Sequence, residues 1–292
     1  MSPILTIDNL TVRYGDTVAV DGLSLTLEGH GIHGLLGRNG SGKSSLLAVI
    51  AGLRQASGGR VLLEGQPIFE NEDATTQICL IRESGDTVEG SETVATALRY
   101  AGDMRPYWDQ AYAEHLLATF KLDSKSRVGA LSRGQRSALG CILGLAARSP
   151  VTLFDEVYLG LDAPSRYAFY EALLADYMDH PRLIVLSTHL IEEVARLFSD
   201  VIIIHEGKLL LREDAETVQG RGVSLIGPEA AVARATDGMT ILATKSLGPT
   251  RSVAVYGQRD EIRERARQEG LEVGALPLQD LFVHLTAGGL QK

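Results

Sequence analysis

At 292 residues the chain has room for one large domain and a small one. Its 45% apolar and 22% charged residues allow a sizeable core, and a formal charge of −9 lacks the basic footprint of a nonspecific nucleic-acid binder. No apolar run nears the ~20 residues that cross a bilayer, and Met1-Ser2-Pro3-Ile4 does not open a targeting segment, so any membrane role is expected to come through another polypeptide.

Residues 4 to 14 alternate in stretches (Leu5, Ile7; Leu10, Val12, Tyr14), as a half-buried strand does. Leu23, Leu25 and Leu27 alternate again after the turn at Tyr14-Gly15-Asp16, which predicts antiparallel strands. Ile32 to Leu36 reads as a short buried strand, followed by a glycine-rich loop and a helix over Ser44 to Ala51. Strand character returns between 60 and 81, at Val61 to Leu63 and Ile78 to Ile81. Residues 91 to 122 read as helical with a break at Pro106, and Ser132 to Ala147 as a strong helix. Val151 to Phe154 and Leu183 to Leu186 are short apolar runs, as parallel core strands are. Pro164 to Met178 and Leu190 to Phe198 read as helices, and Val201 to His205 and Lys208 to Leu211 flank a hairpin turn at Glu206-Gly207.

Character changes near Gln219-Gly220-Arg221-Gly222. Beyond it the pattern reads strand (223–227), helix (228–236), strands (239–245, 251–256), helix (259–269) and strand (271–275), the βαββαβ order of ferredoxin-like domains. An amphipathic piece, Leu278 to Leu285, follows. The two cysteines, Cys79 and Cys141, have apolar neighbours and no metal or redox spacing. They read as free buried thiols of a reducing compartment.

Chemistry concentrates in three places. Gly37-Arg38-Asn39-Gly40-Ser41-Gly42-Lys43-Ser44 is a full P-loop between a strand and a helix, with Ser45 following. Its glycines let backbone N–H groups approach phosphate oxygens, Lys43 supplies a charge for the β and γ phosphates, and the Ser44 hydroxyl can ligate Mg²⁺. Val151-Thr152-Leu153-Phe154-Asp155-Glu156 ends an apolar strand in two carboxylates, Asp155 for the Mg²⁺ shell and Glu156 to polarise an attacking water. These two elements leave kinases, GTPases and motors open. The third, Leu131-Ser132-Arg133-Gly134-Gln135, opens the next helix upstream of Asp155, with Ser132 suited to its N-cap.

That last run resembles the LSGGQ signature of the ABC ATPases, and residues 1 to about 216 follow the family's order of motifs. The resemblance implies that Tyr14 stacks on adenine, that Asp162 of Gly160-Leu161-Asp162 lies at a dimer interface, and that His189 of Ser187-Thr188-His189 contacts the γ-phosphate. Taken alone, Tyr14 would read as strand packing and His189 as a surface histidine. Three departures stand out. Glu83 takes the place of the Q-loop glutamine, which makes it a further candidate metal ligand beside Arg82. Arg133 replaces the first signature glycine, and Val157-Tyr158 replaces the usual Pro-Thr or Pro-Ser. Trp108, the one tryptophan, reads as packing within a compact helical segment, with a place in the groove that receives a transporter's coupling helix as the other reading the resemblance allows. That compact form and the ending Leu276 to Thr286 resemble bacterial drug and antibiotic exporter ATPases.

The resemblance implies an α/β P-loop NTPase core with an antiparallel β subdomain and a helical subdomain, plus a small C-terminal α+β domain. Residues 1–218 are expected to form the ATP-binding domain, with the helical subdomain at about 84–148, and 219–292 an accessory domain. The expected function is ATP hydrolysis with ATP and Mg²⁺, in a head-to-tail dimer with a second ATP-binding subunit. It would drive a membrane-spanning subunit on a separate chain, peripherally at the cytoplasmic face, and export is the expected direction. Two rival readings remain: a soluble ABC ATPase acting in translation, DNA repair or cluster assembly, and a regulatory subunit that binds ATP without turning it over.

Overall fold

The computed structural model describes residues 3–82 and 88–289. By contacts they divide into two compact units, Met1–His189 with Ile202–Leu211, and Leu190–Val201 with Arg212–Lys292.

In the first unit, β1 (Ile4–Tyr14) and β2 (Thr17–Glu28) pair antiparallel. The parity of the buried residues changes along β1, from Leu5 and Ile7 to Leu10 and Val12. A register shift between Ile7 and Leu10, with Asn9 at φ 48, lets both pairs face the same core. β3 (Gly31–Leu36) leads into α1 (Lys43–Ile50). β4 (Gly58–Leu63) and β5 (Gln66–Pro67) complete the first sheet, in the order β2-β1-β4-β5. A single helical turn, α2 (Glu72–Thr75), interrupts the region expected to be strand, because the Asn71 side chain accepts from the Ala74 N–H and caps it. β6 (Ile78–Arg82) follows.

The helical subdomain holds α3 (Val94–Met104), capped by Thr93, and α4 (Gln110–Thr119), capped by Asp109. The break between them falls at Arg105, which proline at 106 holds in extended backbone (φ −121, ψ 116). Trp108 is half-buried against Gly102 of α3, its Nε1–H donating to Gln110. α5 (Arg133–Ala146) then leads to β7 (Val151–Asp155), α6 (Ala163–Asp179) and β8 (Leu183–Thr188). α7 (Ile191–Val194) is one turn followed by a 3₁₀ turn, shorter than the helix expected to Phe198: Leu190 gives it no side-chain cap, and Phe198 is in extended backbone at φ −79, ψ 129. β9 (Asp200–His205) and β10 (Lys208–Asp214) form the expected hairpin, with Glu206 and Gly207 both at positive φ. The second sheet runs β10-β9-β3-β8-β7-β6. β6, β7, β8 and β3 pair parallel in sequence, and β3, β7 and β8 are buried along their whole length, which is why each reads as a continuous apolar run.

α8 (Ala215–Arg221) spans the stretch where character changes. It was not expected, since an internal glycine costs a helix ~1 kcal/mol relative to alanine; Asp214 caps it by accepting from the Thr217 N–H. In the second unit β11 (Gly222–Pro228), α9 (Glu229–Ala235), β12 (Thr240–Leu247), β13 (Thr250–Tyr256), α10 (Arg259–Gln268) and β14 (Glu272–Ala275) follow in βαββαβ order. The sheet order is β12-β13-β11-β14, antiparallel throughout. Val223, Leu225, Val232, Val253, Val255, Ile262 and Ala266 form its core. The chain continues into α11 (Leu278–His284).

Candidate active site

Four parallel strands deliver their carboxyl ends to one edge of the second sheet, where α/β proteins place their sites. β3 runs into the P-loop, β6 ends in Arg82, β7 ends in Asp155 with Glu156 next, and β8 ends in Thr188 with His189 next.

The P-loop backbone fits only glycine at its tightest point. Gly42 has φ 104, and a Cβ there would stand 2.2 Å from the carbonyl oxygen of Ala19 in β2. At Gly37 a Cβ would stand 2.8 Å from the Ile204 carbonyl oxygen. Gly42 is also the N-cap of α1 and gives no side-chain cap, so the positive end of that helix is left for an anion. Lys43 is 5% exposed. Its Nζ donates to the carbonyls of Gly37 (2.8 Å) and Arg38 (3.4 Å) and stands 3.3 Å from Glu156 Oε1. The other oxygen of Glu156 lies 3.4 Å from His189 Nδ1. The ammonium that would hold a phosphate is thus paired with the carboxylate that would activate water, and an incoming phosphate competes with Glu156 for Lys43.

Asp155 is buried and accepts from the Ser187 hydroxyl at 2.8 Å on Oδ1. It lines a cavity of about 350 Å³ with Tyr14, Ser44, Ser45, Ala48, Arg82 and Glu156. Ser44 and Asp155 bring an alcohol and a carboxylate to the same cavity, a donor set suited to a hard cation such as Mg²⁺. A second cavity of about 420 Å³, lined by Tyr14, Ala19, Asn39 to Ser45 and Glu156, lies along the P-loop itself. Tyr14 is exposed and lines both cavities. Glu83 lies outside the described residues.

Ser132, Gly134, Gln135 and Asp162 of the expected site line neither cavity and are held instead by their own helix ends. Ser132 accepts from the Gln135 N–H (3.2 Å) while Gln135 Oε1 accepts from the Ser132 N–H (2.9 Å), a reciprocal capping box at the start of α5. Gly134 packs on the turn at 157–160, where a Cβ would meet the Gly160 carbonyl oxygen at 3.0 Å. Asp162 caps α6 by accepting from the Ser165 N–H (3.0 Å), and the Ser165 hydroxyl first, then this N–H, hold its carboxyl below the usual range.

Two residues of this edge escaped the sequence reading. Arg54 lays its guanidinium over Tyr14, 3.8 Å from the ring centroid, and donates to the Arg13 carbonyl at 2.6 Å. No motif marks it, because the contact joins residues far apart in sequence. Tyr158 was visible only as a departure from the family pattern. It is fully buried, and its hydroxyl donates to Thr188 Oγ1.

The sequence model described as "ABC transporter" matches residues 20–158. The Nod factor export ATP-binding protein I of Burkholderia lata is 32% identical over 214 residues, 70% of each chain. A putative ABC transporter ATP-binding protein of Halobacterium salinarum is 33% identical over 226 residues, 74% of this chain and 96% of that one. A methionine import ATP-binding protein of Desulfitobacterium hafniense is 28% identical over 79% of this chain and 70% of its own, so the relatives include both export and import proteins. Among solved structures, the ATP-binding subunit of an ABC transporter matches at TM-score 0.65 with 22% identity, over 74% of this chain and 92% of that one. A dimeric ATP-binding cassette bound to ADP and Pi matches at TM-score 0.63 with 20% identity, over 72% and 98%. Among the described residues no helix is long and apolar enough to cross a membrane. The chain belongs to the ABC transporter family, as an ATP-binding subunit and an ATPase.

Proposed function

We propose that this chain hydrolyses ATP between two head-to-tail subunits at the cytoplasmic face of a membrane and thereby drives export through a membrane-spanning subunit on another chain. The observation that carries the paired arrangement is a division of labour. Lys43, Glu156 and His189 are joined by ion pairs at one edge, while Ser132 and Gln135 form the capping box of α5, Gly134 packs on the turn at 157–160 and Asp162 caps α6. A second copy, or a similar subunit, would bring its signature helix to the open side of the nucleotide. Residues 1–218 carry every motif of this reading, and 219–292 form an accessory unit.

On this reading Tyr14 stacks on the base and the P-loop N–H groups hold the phosphates. Lys43 leaves Glu156 for the γ-phosphate, which frees the carboxylate to take a proton from the attacking water. His189 holds Glu156 in place and reaches the same phosphate. Ser44 and Asp155, with Glu83, would hold Mg²⁺, which supplies charge neutralisation on the phosphates. Export is favoured by the Nod factor export relatives at 32% identity, against 28% for the methionine import protein. Direction is tested in vesicles carrying the complex. Cargo on the same side as the ATPase stimulates turnover in an exporter, and cargo on the opposite side does so in an importer.

The reading of the site is tested by Glu156→Gln, which keeps shape and loses basicity. The variant is expected to bind ATP and to lose turnover by at least about a hundredfold, the scale of general base catalysis. With ATP and Mg²⁺ it should elute as a dimer. Turnover near wild type, or a monomer under those conditions, rules the mechanism out.

A further inference from the structure

We infer that Tyr158 is a positioning residue for hydrolysis: its hydroxyl ties the turn that carries Glu156 to the strand end that carries His189. The inference rests on the hydrolytic reading above and adds to it a residue that belongs to none of its motifs.

Glu156 sits at φ 52, ψ 29, a left-handed conformation that a non-glycine residue holds only when its surroundings impose it. The chain then makes a 3₁₀ turn, Val157–Gly160, closed by bonds from Leu159 N–H to the Glu156 carbonyl (3.1 Å) and from Leu161 N–H to the Tyr158 carbonyl (2.9 Å). Local bonds of this kind shape a turn but do not fix where it stands over the sheet. α5 packs on one side of the turn, and Tyr158 ties its other side to the strand end. Its ring is fully buried and packs against Tyr170 of α6, with centroids 6.1 Å apart. Its hydroxyl donates to Thr188 Oγ1, with the Ser187 carbonyl oxygen 3.4 Å away.

A buried tyrosine hydroxyl needs a partner wherever it lies, so the bond alone is unremarkable. Its place in a series is what gives it a role. Ser187 donates to Asp155, Thr188 accepts from Tyr158, and His189 pairs with Glu156. Three consecutive residues of β8 and its exit are stitched to three of the four residues from 155 to 158. The outer two links involve groups that are expected to face nucleotide and metal and to change partner during the reaction. The middle link, buried between neutral hydroxyls, is the one that stays in place. It keeps the Glu156 carboxylate and the His189 imidazole at a fixed spacing when Lys43 leaves. Phenylalanine would fill the same space and lose the link.

The test uses the full-length chain, with steady-state ATP hydrolysis, ATP affinity and thermal melting measured together. Tyr158→Phe should lower kcat by about fivefold to tenfold, the weight of one hydrogen bond, with ATP affinity within about twofold of wild type. Thr188→Val should give the same loss, Thr188→Ser should retain near-wild-type kcat, and combining Tyr158→Phe with Thr188→Val should add no further loss. If Tyr158→Phe does not fold, the Thr188→Val and Thr188→Ser pair decides. The inference is overturned if Tyr158→Phe keeps kcat within about twofold, if the two Thr188 variants behave alike, or if affinity and melting temperature fall in step with kcat. A wild-type chain that turns over while these variants show no effect removes the inference alone. A wild-type chain with no turnover removes both it and the reading it rests on.

Discussion

At the scale of single residues, surroundings decide what the same side chain does. Tyr14 ends a strand that buries Leu5, Ile7, Leu10 and Val12, yet it stands 46% exposed and lines both cavities. Arg54 braces one face of that ring and is itself anchored to the backbone at Arg13. Replacing Tyr14 by alanine should weaken ATP binding by about 1–3 kcal/mol, the worth of one stacked base. Arg54→Ala should cost about 0.5–1 kcal/mol through loss of the cation–π brace. Titration calorimetry on both variants checks this; wild-type affinity in Arg54→Ala would leave the ring to hold itself. Burial acts differently on Cys79 and Cys141. It raises both thiols, which keeps them protonated and unreactive, as their apolar neighbours led one to expect.

At the scale of elements, caps mark the edges that matter. The Ser132–Gln135 capping box and the Asp162 cap start the two helices on either side of the turn at 157–160. The Ser165 hydrogen bonds depress the Asp162 pKa in the folded chain, so folding favours its ionised form. The sign follows directly. The contribution is present above the unfolded value near 3.9 and is lost as pH falls through the lower folded value. Asp162→Asn should therefore lose less stability than wild type between about pH 5 and pH 3, as read by urea denaturation at each pH. Parallel curves for the two proteins would show that the cap does not depend on charge. Caps of this kind were legible at Ser132, since Ser before a helical run is an N-terminal signal. The α2 cap at Asn71 and the α8 cap at Asp214 were not, because apolar strand neighbours and an internal glycine outweighed them locally.

At the scale of the molecule, the two units do not follow the chain as two simple halves. Residues 190–201 leave the first unit between β8 and β9 and belong with 212–292. Within that second unit α11 packs on α7, whose Ile191 and Val194 are buried. A chain truncated after residue 218 keeps every nucleotide motif but loses α11. It should still bind ATP, and it should be less stable by about 1.5–3 kcal/mol for each of those side chains left uncovered. Thermal melting with and without ATP separates the two effects. Failure to bind ATP would show that 219–292 complete the nucleotide site.

The sequence alone determined the order of the core strands and the places of the glycine loop and the strand-end carboxylates. Fully buried strands must be continuous apolar runs, a phosphate loop must be glycine-rich, and carboxylates at a parallel strand end must follow an apolar stretch. Each requirement is local and leaves its mark in consecutive residues, as in Ile32 to Leu36, Gly37 to Ser44 and Val151 to Glu156. What tertiary structure decided were the pairings between distant positions. Lys43 with Glu156, Glu156 with His189, Arg54 with Tyr14 and Tyr158 with Thr188 each join separate elements. Such contacts depend on strand order and on the register between β7 and β8. These are set by packing over the whole sheet, and no short stretch of sequence carries them.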